Sequence, residues 1–202
     1  MDPIISSDLA LAKERIDEDA FHSQRILITG GAGFIGSWLC DILTSSHSIV
    51  QCIDNLSTGL LVNIEHLLSA PNVNFEFRKL DVAEAKLQDG KHNLILHLGS
   101  HASPEEYQQH PVETLAANSL GTQNLLELAR KSDAILLYAS SSEVYGSTKT
   151  IPTPETDWGN VNPIGPRSCY DEGKRFGEAL CMAYHRAYGL DVRIIRLFNT
   201  RA

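Results

Sequence analysis

Ile26-Leu27-Ile28-Thr29-Gly30-Gly31-Ala32-Gly33-Phe34-Ile35-Gly36 is the stretch that decides the fold of this 202-residue chain. Its first four residues are apolar or β-branched and predict a buried strand, and the glycines after them predict a tight turn. Residues 37–43 continue with the apolar spacing of a helix. A strand, a glycine turn and a helix in this order are typical of the first unit of a dinucleotide-binding βαβ fold.

The glycines of this turn fit the dinucleotide-binding spacing in two registers, Gly31/Gly33/Gly36 and Gly30/Gly33/Gly36. The fold needs glycine for the turn, for close approach of the backbone to a pyrophosphate, and for packing of the helix on the strand. The helix N-terminus adds N–H donors and the positive end of the helix dipole. A plain strand-to-helix turn also collects glycine, so this motif alone is a weak signal. The residues expected to bind the pyrophosphate are Gly30, Gly33, Phe34, Ile35 and Gly36.

An acidic residue follows the second predicted strand and strengthens the interpretation. Residues 48–53 form an apolar, strand-like run that ends in Asp54. A carboxylate roughly 20 residues beyond the glycines is where the adenosine ribose hydroxyls are bound in such folds. It would repel a 2′-phosphate, and residues 55–62 contain no Arg or Lys that could reverse this preference. The sequence therefore predicts NAD rather than NADP as the cofactor.

Composition excludes several other classes of function. A hydrophobic content of 43% with 21% charged residues is ordinary for one globular domain with a sizeable core. The net charge of −8, without any basic run, argues against nucleic-acid binding. No apolar run approaches the ~20 residues of a membrane span, and the N-terminus lacks the apolar core of a signal peptide. We therefore expect a cytoplasmic protein that binds neither nucleic acid nor membrane.

The cysteines and histidines do not predict a metal site or a disulfide framework. The four cysteines, at positions 40, 52, 169 and 181, form no C-x-x-C pair, so buried, reduced thiols are expected. The eight histidines are scattered. His97 and His101 are four residues apart, but Gly99 lies between them at a strand end, so they are not expected to share a helix face. We assign no metal.

Strands and helices alternate along the rest of the chain. Residues 1–24 are expected to form a helical extension with Ser7 as its N-cap, docked on the surface of a domain that spans 25–202. A long structured loop is expected at 146–169. The predicted strands are 26–29, 48–54, 73–79, 93–98, 134–139 and 192–198, and the main helices begin at 37, 112 and 170. This alternation predicts an α/β fold, a doubly wound parallel sheet of the Rossmann type.

Ligands bind such sheets outside the carboxyl ends of the strands. This rule predicts which residues line the cleft before any of them is assigned a role. They are Gly30–Gly36, Asp54 and Asn55, Asp81 and Val82, Leu98–Ser103, Ser140–Glu143, and Asn199.

A tyrosine and a lysine, Tyr170 and Lys174, lie four residues apart at the start of the last predicted helix and so share one of its faces. An ammonium near a phenol favours the phenolate, and we expect it to lower the tyrosine pKa so that the phenolate can accept a proton from a secondary alcohol. A hydroxyl of the preceding cluster Ser140–Ser142 could hydrogen-bond to the same substrate oxygen. Each feature alone has a simpler explanation, a surface tyrosine in one case and turn chemistry in the other.

From residue 25 to residue 200 the sequence resembles the extended short-chain dehydrogenase/reductases, and among them most closely the UDP-glucuronate decarboxylases. The longest matching runs are Ser142–Gly146, Trp158–Arg175 and Val192–Thr200. Residues 54–59, Ala102-Ser103-Pro104, and Asn118 with Gly121 and Thr122 match as well. The loop at 158–169 is much more specific than the glycine motif.

This resemblance implies roles for individual residues. Tyr170 is the base, Lys174 tunes it and holds the nicotinamide ribose, Ser141 occupies the Ser/Thr position, and Glu143 acts on the sugar ring. A homodimer, paired through helices near 112–131 and 170–188, is also implied. Further cofactor-binding residues are Asp54, Asn55, Asp81, Val82, Leu98, Gly99, Ser100 and Asn118, and the implied substrate-binding residues are Ser103, Pro104, Ser142, Glu143 and Asn199.

The implied reaction is the NAD-dependent decarboxylation of UDP-glucuronate to UDP-xylose. Oxidation at C4 places a ketone β to the carboxylate, carbon dioxide leaves, and the ketone is reduced again. A sugar-nucleotide 4,6-dehydratase is an alternative, although Ser142 stands where dehydratases have an aspartate. A 4-epimerase is another, but it gives Glu143 no obvious task. A non-catalytic NAD-binding module is an alternative of a different class.

The sequence departs from the family pattern in two places. The run after the fourth strand is Gly99-Ser100-His101, and we expect the histidine to fill space rather than to contact the nicotinamide. The sequence also ends at Ala202, close to the end of the sixth strand, whereas family members continue into a segment that binds the uridine and the sugar carboxylate. We therefore expect a fragment that lacks most of the C-terminal substrate domain.

Overall fold

The computed structural model describes residues 3–71, 73–84, 87 and 91–200. Its centre is a six-stranded parallel sheet with the strand order β3-β2-β1-β4-β5-β6. The direction of winding reverses between β1 and β4, which confirms the predicted doubly wound fold and opens a crevice at the carboxyl ends of these two strands. The strands are β1 (Arg25–Thr29), β2 (Ile49–Asp54), β3 (Asn74–Lys79), β4 (Leu94–His97), β5 (Ile135–Ser141) and β6 (Val192–Leu197).

Helices cover both faces of the sheet, as a parallel sheet requires. Alternate residues of β1 point to opposite faces: Leu27 packs with Leu125, whereas Ile26 and Ile28 pack with Leu43. The two larger apolar clusters among the described residues thus lie on opposite sides of the sheet. The helices are α1 (Pro3–Lys13), α2 (Glu18–Phe21), α3 (Phe34–Ser45), α4 (Glu65–Leu68), α5 (Pro104–Gln109), α6 (Pro111–Ala116), α7 (Thr122–Ser132) and α8 (Ser168–Tyr188).

The N-terminal extension is helical and packs against α3. Its helix begins at Pro3, so Ser7 lies inside α1 and the prediction that it caps the helix is wrong. Proline is well tolerated in the first turn of a helix, where no N–H is required, and this allows the earlier start. Residues 1 and 2 of the predicted extension lie outside the described residues.

The helix predicted over 112–131 is divided. A π-helical turn at Ala117–Gly121 separates α6 from α7, and single π turns of this kind are frequent at functional sites. Another helix, α5, lies in a segment for which we had predicted no element. In the part of the chain described here, no helix combines the length and the apolar character that a membrane span needs.

Candidate active site

A cleft of about 690 Å³ opens at the carboxyl ends of the strands. It brings together most of the residues predicted from the sequence. Those that line it are Gly30, Gly33, Phe34, Ile35, Gly36, Asp54, Asn55, Asp81, Val82, Leu98, Gly99, Ser100, Ser103, Pro104, Ser141, Glu143, Tyr170, Lys174 and Asn199.

The glycine turn forms one end of the cleft. Gly30 has φ +71°, in the left-handed region, and a Cβ atom on it would lie 2.8 Å from the backbone of Gly99. Gly33 is the N-cap of α3 and has no side chain to cap the helix. The first N–H groups of α3 therefore face the cleft without a capping side chain over them, an arrangement that suits an anion.

Asp54 links the end of β2 to the glycine turn. Its carboxylate accepts a hydrogen bond from the backbone N–H of Ala32 at 3.0 Å and another from Leu56 at 2.8 Å. A Cβ atom on Gly59 would lie 2.8 Å from both carboxylate oxygens, so the loop can approach only because that residue is glycine. Asp54 is buried and lines the cleft. Its position is therefore fixed by the backbone before any ligand binds.

The loops after β2 and β3 are connected by side chains. Asn55 donates through Nδ2 to Asp81 Oδ2 at 2.8 Å, and the other oxygen of Asp81 accepts from the backbone of Ala83 at 2.8 Å. These contacts hold both loops at the same edge of the cleft.

Lys174 is buried on α8 beneath the cleft. Its Nζ donates to the carbonyl oxygen of Ala139 at 2.8 Å and lies 5.7 Å from the centre of the Tyr170 ring. Burial lowers the pKa of Lys174 to about 7. Lys174 and Tyr170 therefore share one face of α8, as their spacing predicts.

Tyr170 is packed between the cleft and a second aromatic ring. It stacks on Tyr107, with ring centroids 4.9 Å apart and planes inclined by 9°. Burial raises the pKa of Tyr170, and the Ser141 hydroxyl lowers it by a smaller amount. The expectation that Lys174 lowers this pKa is therefore wrong for the protein alone: desolvation of the phenol dominates, and Lys174 is itself shifted towards its neutral form.

Glu143 lies in a 3₁₀ turn that follows β5 directly. The Ser141 hydroxyl caps this turn by accepting from the backbone N–H of Glu143 at 3.3 Å. The Glu143 carboxylate forms an ion pair with the guanidinium of Arg167, whose Nε lies 4.0 Å from an oxygen of Asp171. Arg167 also lines the cleft, so Glu143 enters it as half of a charged pair.

A half-buried ion pair supports the end of β5 from behind. Arg196 donates to both carboxylate oxygens of Glu178, at 2.9 and 2.8 Å, and the Ser140 hydroxyl donates to the same carboxylate at 2.6 Å. Burial raises the pKa of Glu178, but the hydrogen bonds from Arg196 and Ser140 outweigh this effect and lower it. The strand end that carries Ser141 is thus fixed through Ser140 by an ion pair whose two members do not line the cleft.

Four predicted residues are not among those that line the cleft: Gly31, Ala32, Asn118 and Ser142. Gly31 and Ala32 are buried in the glycine turn, and Ala32 belongs to the apolar core beside it. Asn118 is fully buried on the π-helical turn, where it donates to Ser100 Oγ at 2.8 Å and accepts from the Tyr138 hydroxyl at 3.2 Å. It supports Ser100, which does line the cleft. Ser142 opens the 3₁₀ turn after Ser141 and does not line the cleft, whereas Ser140, Ser141 and Glu143 do.

Arg167 and Tyr107 are among the residues in the wall of the cleft that were not predicted from the sequence. Arg167 stands just before α8 at the end of an irregular loop, and its position matters only because the fold brings it to Glu143. Tyr107 is buried on α5, and its hydroxyl has no hydrogen-bond partner among the described residues. The Ser-Pro-Glu-Glu run at 103–106 is a helix-start signal that could have placed Tyr107 on a helix.

His97 and the four cysteines are buried within the fold rather than placed to bind a metal. His97 is buried between the hydroxyls of Thr29 and Thr122, at 2.8 and 3.2 Å, and burial lowers its pKa to about 3. All four cysteines are buried and free. Within the described ranges, no group of three or more His, Cys, Asp and Glu side chains is placed to hold a metal ion.

The cleft fits a dinucleotide by its own geometry. A Cβ atom at Gly30 would collide with the backbone of Gly99, and one at Gly36 with the backbone of Gly30 and Gly31, so only glycine lets the turn pack this closely at the end of the cleft. Asp54 lies at the end of β2, where the ribose hydroxyls of a dinucleotide bind, and Lys174 and Tyr170 line the same cleft. The fold and the cleft together define a dinucleotide-binding α/β protein of the extended short-chain dehydrogenase/reductase type.

Comparison with known proteins gives the family. The family described as "GDP-mannose 4,6 dehydratase" matches residues 27–202, and the chain belongs to this family. It is 49% identical over 177 residues to "UDP-glucuronic acid decarboxylase 1" of Xenopus tropicalis, a match that covers 88% of this chain and 41% of that protein. The chain thus spans less than half the length of this curated relative.

Solved structures share the fold. A UDP-N-acetylglucosamine 4-epimerase from Methanobrevibacter ruminantium, in complex with UDP-N-acetylmuramic acid, superposes with a TM-score of 0.74 at 30% identity. That match covers 87% of this chain and 55% of the epimerase. A Thermus thermophilus UDP-glucose 4-epimerase in complex with NAD gives a TM-score of 0.69 at 29% identity, with 85% and 54% covered.

Proposed function

We propose that this chain is the NAD-binding and catalytic part of an enzyme that decarboxylates UDP-glucuronate to UDP-xylose. The observation that carries this proposal is the placement of Ser141, Glu143, Tyr170 and Lys174 on one cleft with the glycine turn and Asp54. The 49% identity to a UDP-glucuronic acid decarboxylase supports the choice of reaction.

NAD is the cofactor of the proposed reaction, and when bound it supplies a hydride acceptor that later returns the hydride. Gly30, Gly33 and the first N–H groups of α3 would hold its pyrophosphate, and Asp54 would accept hydrogen bonds from the adenosine ribose. Lys174, beneath the cleft, would hold the nicotinamide ribose. These roles match the donors and acceptors that each residue presents to the cleft.

Tyr170 accepts the proton of the 4-hydroxyl group as C4 is oxidised, and Ser141 hydrogen-bonds to the same oxygen. The resulting ketone is β to the sugar carboxylate, so the electrons of the breaking bond flow into an enolate when carbon dioxide leaves. Ser141 and Tyr170 stabilise that enolate oxygen as hydrogen-bond donors. Burial raises the pKa of Tyr170 and so favours the protonated phenol, which suits the donor role. For Tyr170 to act as a base, the binding of NAD and substrate has to lower this pKa.

Glu143 is the group placed to act on the sugar ring. Its ion pair with Arg167 orients the carboxylate, and Ser141 fixes the turn that carries it. After decarboxylation this group can take a proton from solvent and deliver it to C5. Further substrate contacts are proposed for Ser103, Pro104 and Asn199, which line the same cleft.

A homodimer is proposed as well. Val112 and Leu120, near the π-helical turn, and Phe176 on α8 are exposed by 73%, 54% and 51%. Exposed apolar side chains on neighbouring helices are typical of an interface. The measurement is the mass of the protein in solution by light scattering.

The test of the reaction is incubation of the protein with NAD and UDP-glucuronate while carbon dioxide and the sugar product are measured. Release of carbon dioxide with formation of UDP-xylose supports the proposal. A 4-keto-6-deoxy product from UDP- or dTDP-glucose would identify a dehydratase instead, and inversion at C4 an epimerase. NAD binding without turnover of any of these substrates would identify a non-catalytic module.

A further inference from the structure

His101 follows β4 and lies in the wall of the cleft, between Ser100 and the N-terminus of α5. Only 7% of its surface is exposed. Its ring stacks on His110, with centroids 5.3 Å apart and planes inclined by 20°. The side chain therefore does fill space, as the sequence suggested, but its polar atoms are not both accounted for.

Thr114 fixes the tautomer of His101. The Thr114 hydroxyl has one proton, which it donates to the carbonyl oxygen of His110 at 2.7 Å. The same hydroxyl oxygen lies 3.1 Å from Nδ1 of His101 and can only accept there. Nδ1 therefore carries the proton, and in the neutral ring Nε2 is left with a lone pair.

This lone pair has no hydrogen-bond partner among the described residues, and Nε2 is buried. A buried acceptor without a partner costs about 1–3 kcal/mol relative to a satisfied one. Unpaired groups of this kind call for an explanation. Because His101 lies in the wall of the cleft, a ligand that binds there can supply the missing hydrogen bond.

The surroundings of His101 select the kind of partner. Asp81, Glu106 and Glu113 line the same cleft and raise its pKa, but burial and the neighbouring His110 lower it by more, so the ring is kept towards its neutral form. Three carboxylates around this point disfavour a phosphate or a carboxylate. They are compatible with an uncharged donor such as a sugar hydroxyl.

We propose that Nε2 of His101 accepts a hydrogen bond from a hydroxyl group of the molecule bound in the cleft. That hydroxyl belongs either to a ribose of the dinucleotide or to the hexose of the nucleotide sugar. The inference rests on the proposed function, since it takes these two molecules as the ligands, and it makes His101 a binding residue in addition to those assigned above.

Two variants separate the lone pair from the rest of the side chain. In His101→Asn the amide can occupy the place of Nδ1 and keep the contact to Thr114, but nothing replaces Nε2. In His101→Gln the amide oxygen reaches the place of Nε2. Loss of one neutral hydrogen bond should weaken the affinity of the ligand roughly threefold to tenfold in the Asn variant, while the Gln variant stays close to wild type. Thermal unfolding of both variants serves as the control for folding.

The direct measurement is the ¹⁵N resonance of Nε2 in the histidine-labelled protein, assigned by its loss in His101→Asn. An upfield shift on addition of NAD assigns the hydroxyl to a ribose. A shift only when UDP-glucuronate is added to the NAD-loaded protein assigns it to the hexose. If both ligands bind with an unmoved resonance and equal affinity for wild type and His101→Asn, the inference is overturned and the proposed function stands. If neither ligand binds to the wild-type protein, both are overturned.

Discussion

The ammonium of Lys174 donates to the carbonyl oxygen of Ala139 across 2.8 Å, which ties the second turn of α8 to β5 two residues before Ser141. Lys174 is only 4% exposed, and no carboxylate compensates its charge among the causes of its shifted pKa. Desolvation therefore dominates, and the pKa falls to about 7 from 10.5. The fold thus carries a lysine that is poised to change charge near neutral pH.

A pH-dependent stability follows from this lysine. Between pH 7 and about 10.5 the unfolded chain binds a proton at Lys174 that the folded chain has released, so the free energy of unfolding should rise with pH. The slope from one such group is at most about 1.4 kcal/mol per pH unit. Below pH 7 both states are protonated and this contribution to the slope vanishes.

Urea unfolding of wild type and Lys174→Met between pH 6 and 10 isolates this effect, since other titrating groups are common to both proteins. The difference in free energy of unfolding between wild type and the variant should be constant below about pH 7 and should grow in favour of wild type as the pH rises above 7. Parallel curves over the whole range would show that Lys174 titrates at its ordinary pKa when folded.

Tyr170→Phe should remove turnover while NAD binding is retained. The substitution deletes the hydroxyl but keeps the ring that stacks on Tyr107, so the wall of the cleft is preserved. Loss of a general acid–base group lowers kcat by roughly 10²- to 10⁴-fold. Carbon dioxide release from UDP-glucuronate and fluorescence titration with NAD measure the two quantities. A variant with undiminished kcat would remove Tyr170 from the proposed mechanism.

Asp54 should control the choice between NAD and NADP, and two substitutions separate its charge from its support of the loop. Asp54→Asn keeps an oxygen for the N–H groups of Ala32 and Leu56, which lie 3.0 and 2.8 Å away, but removes the negative charge. It should weaken NAD binding and relax discrimination against NADP with little loss of fold. Asp54→Ala should show the same change in preference and lose a further ~1–3 kcal/mol of stability, because the two N–H groups lose their partner.

Calorimetric titration of both variants with NAD and NADP measures the preference. An unchanged ratio of the two affinities in Asp54→Asn would mean that another group excludes the 2′-phosphate.

Local spacing was sufficient to predict the parts of the cleft that belong to single elements. The glycine turn, Asp54 at the end of β2, and Tyr170 with Lys174 on one helix face were all predicted, because each depends on residues close in sequence. The side-chain directions of Asn118 and Ser142 were not, since they depend on a π-helical turn and a 3₁₀ turn that no spacing pattern indicated.

Effects that depend on tertiary surroundings were not predictable in the same way. The pKa of Tyr170 is raised rather than lowered because the phenol is buried, and burial is a property of the packed fold. The ion pair of Arg167 with Glu143 forms only because the loop before α8 folds over the cleft. The stacking of Tyr107 on Tyr170 likewise requires α5 to pack against α8. The orphaned nitrogen of His101, in the loop after β4, likewise follows from a contact to Thr114 on α6.

Two glycines on α8 offer a test of how tightly the helix packs beneath the site. A Cβ atom on Gly177 would collide with the hydroxyl and ring of Tyr138, whereas one on Gly173 would meet Asn118 Cβ at 3.3 Å. Tyr138 has no room to retreat, because it is fully buried, donates to Asn118 and lies beneath Lys174. Alanine improves helix propensity by about 1 kcal/mol at either position, but overpacking costs about 1–3 kcal/mol.

Gly177→Ala should therefore lower the free energy of unfolding by up to about 2 kcal/mol in total, while Gly173→Ala should be close to neutral because Asn118 has to move by only a few tenths of an ångström. Urea unfolding of the two variants at one pH compares them directly. Since Tyr138 also contacts Lys174, the Gly177 variant should disturb the lysine as well, and its stability should depend less on pH than that of wild type. Equal stabilisation by both alanines would mean that α8 lies farther from β5 than the contact with Tyr138 requires.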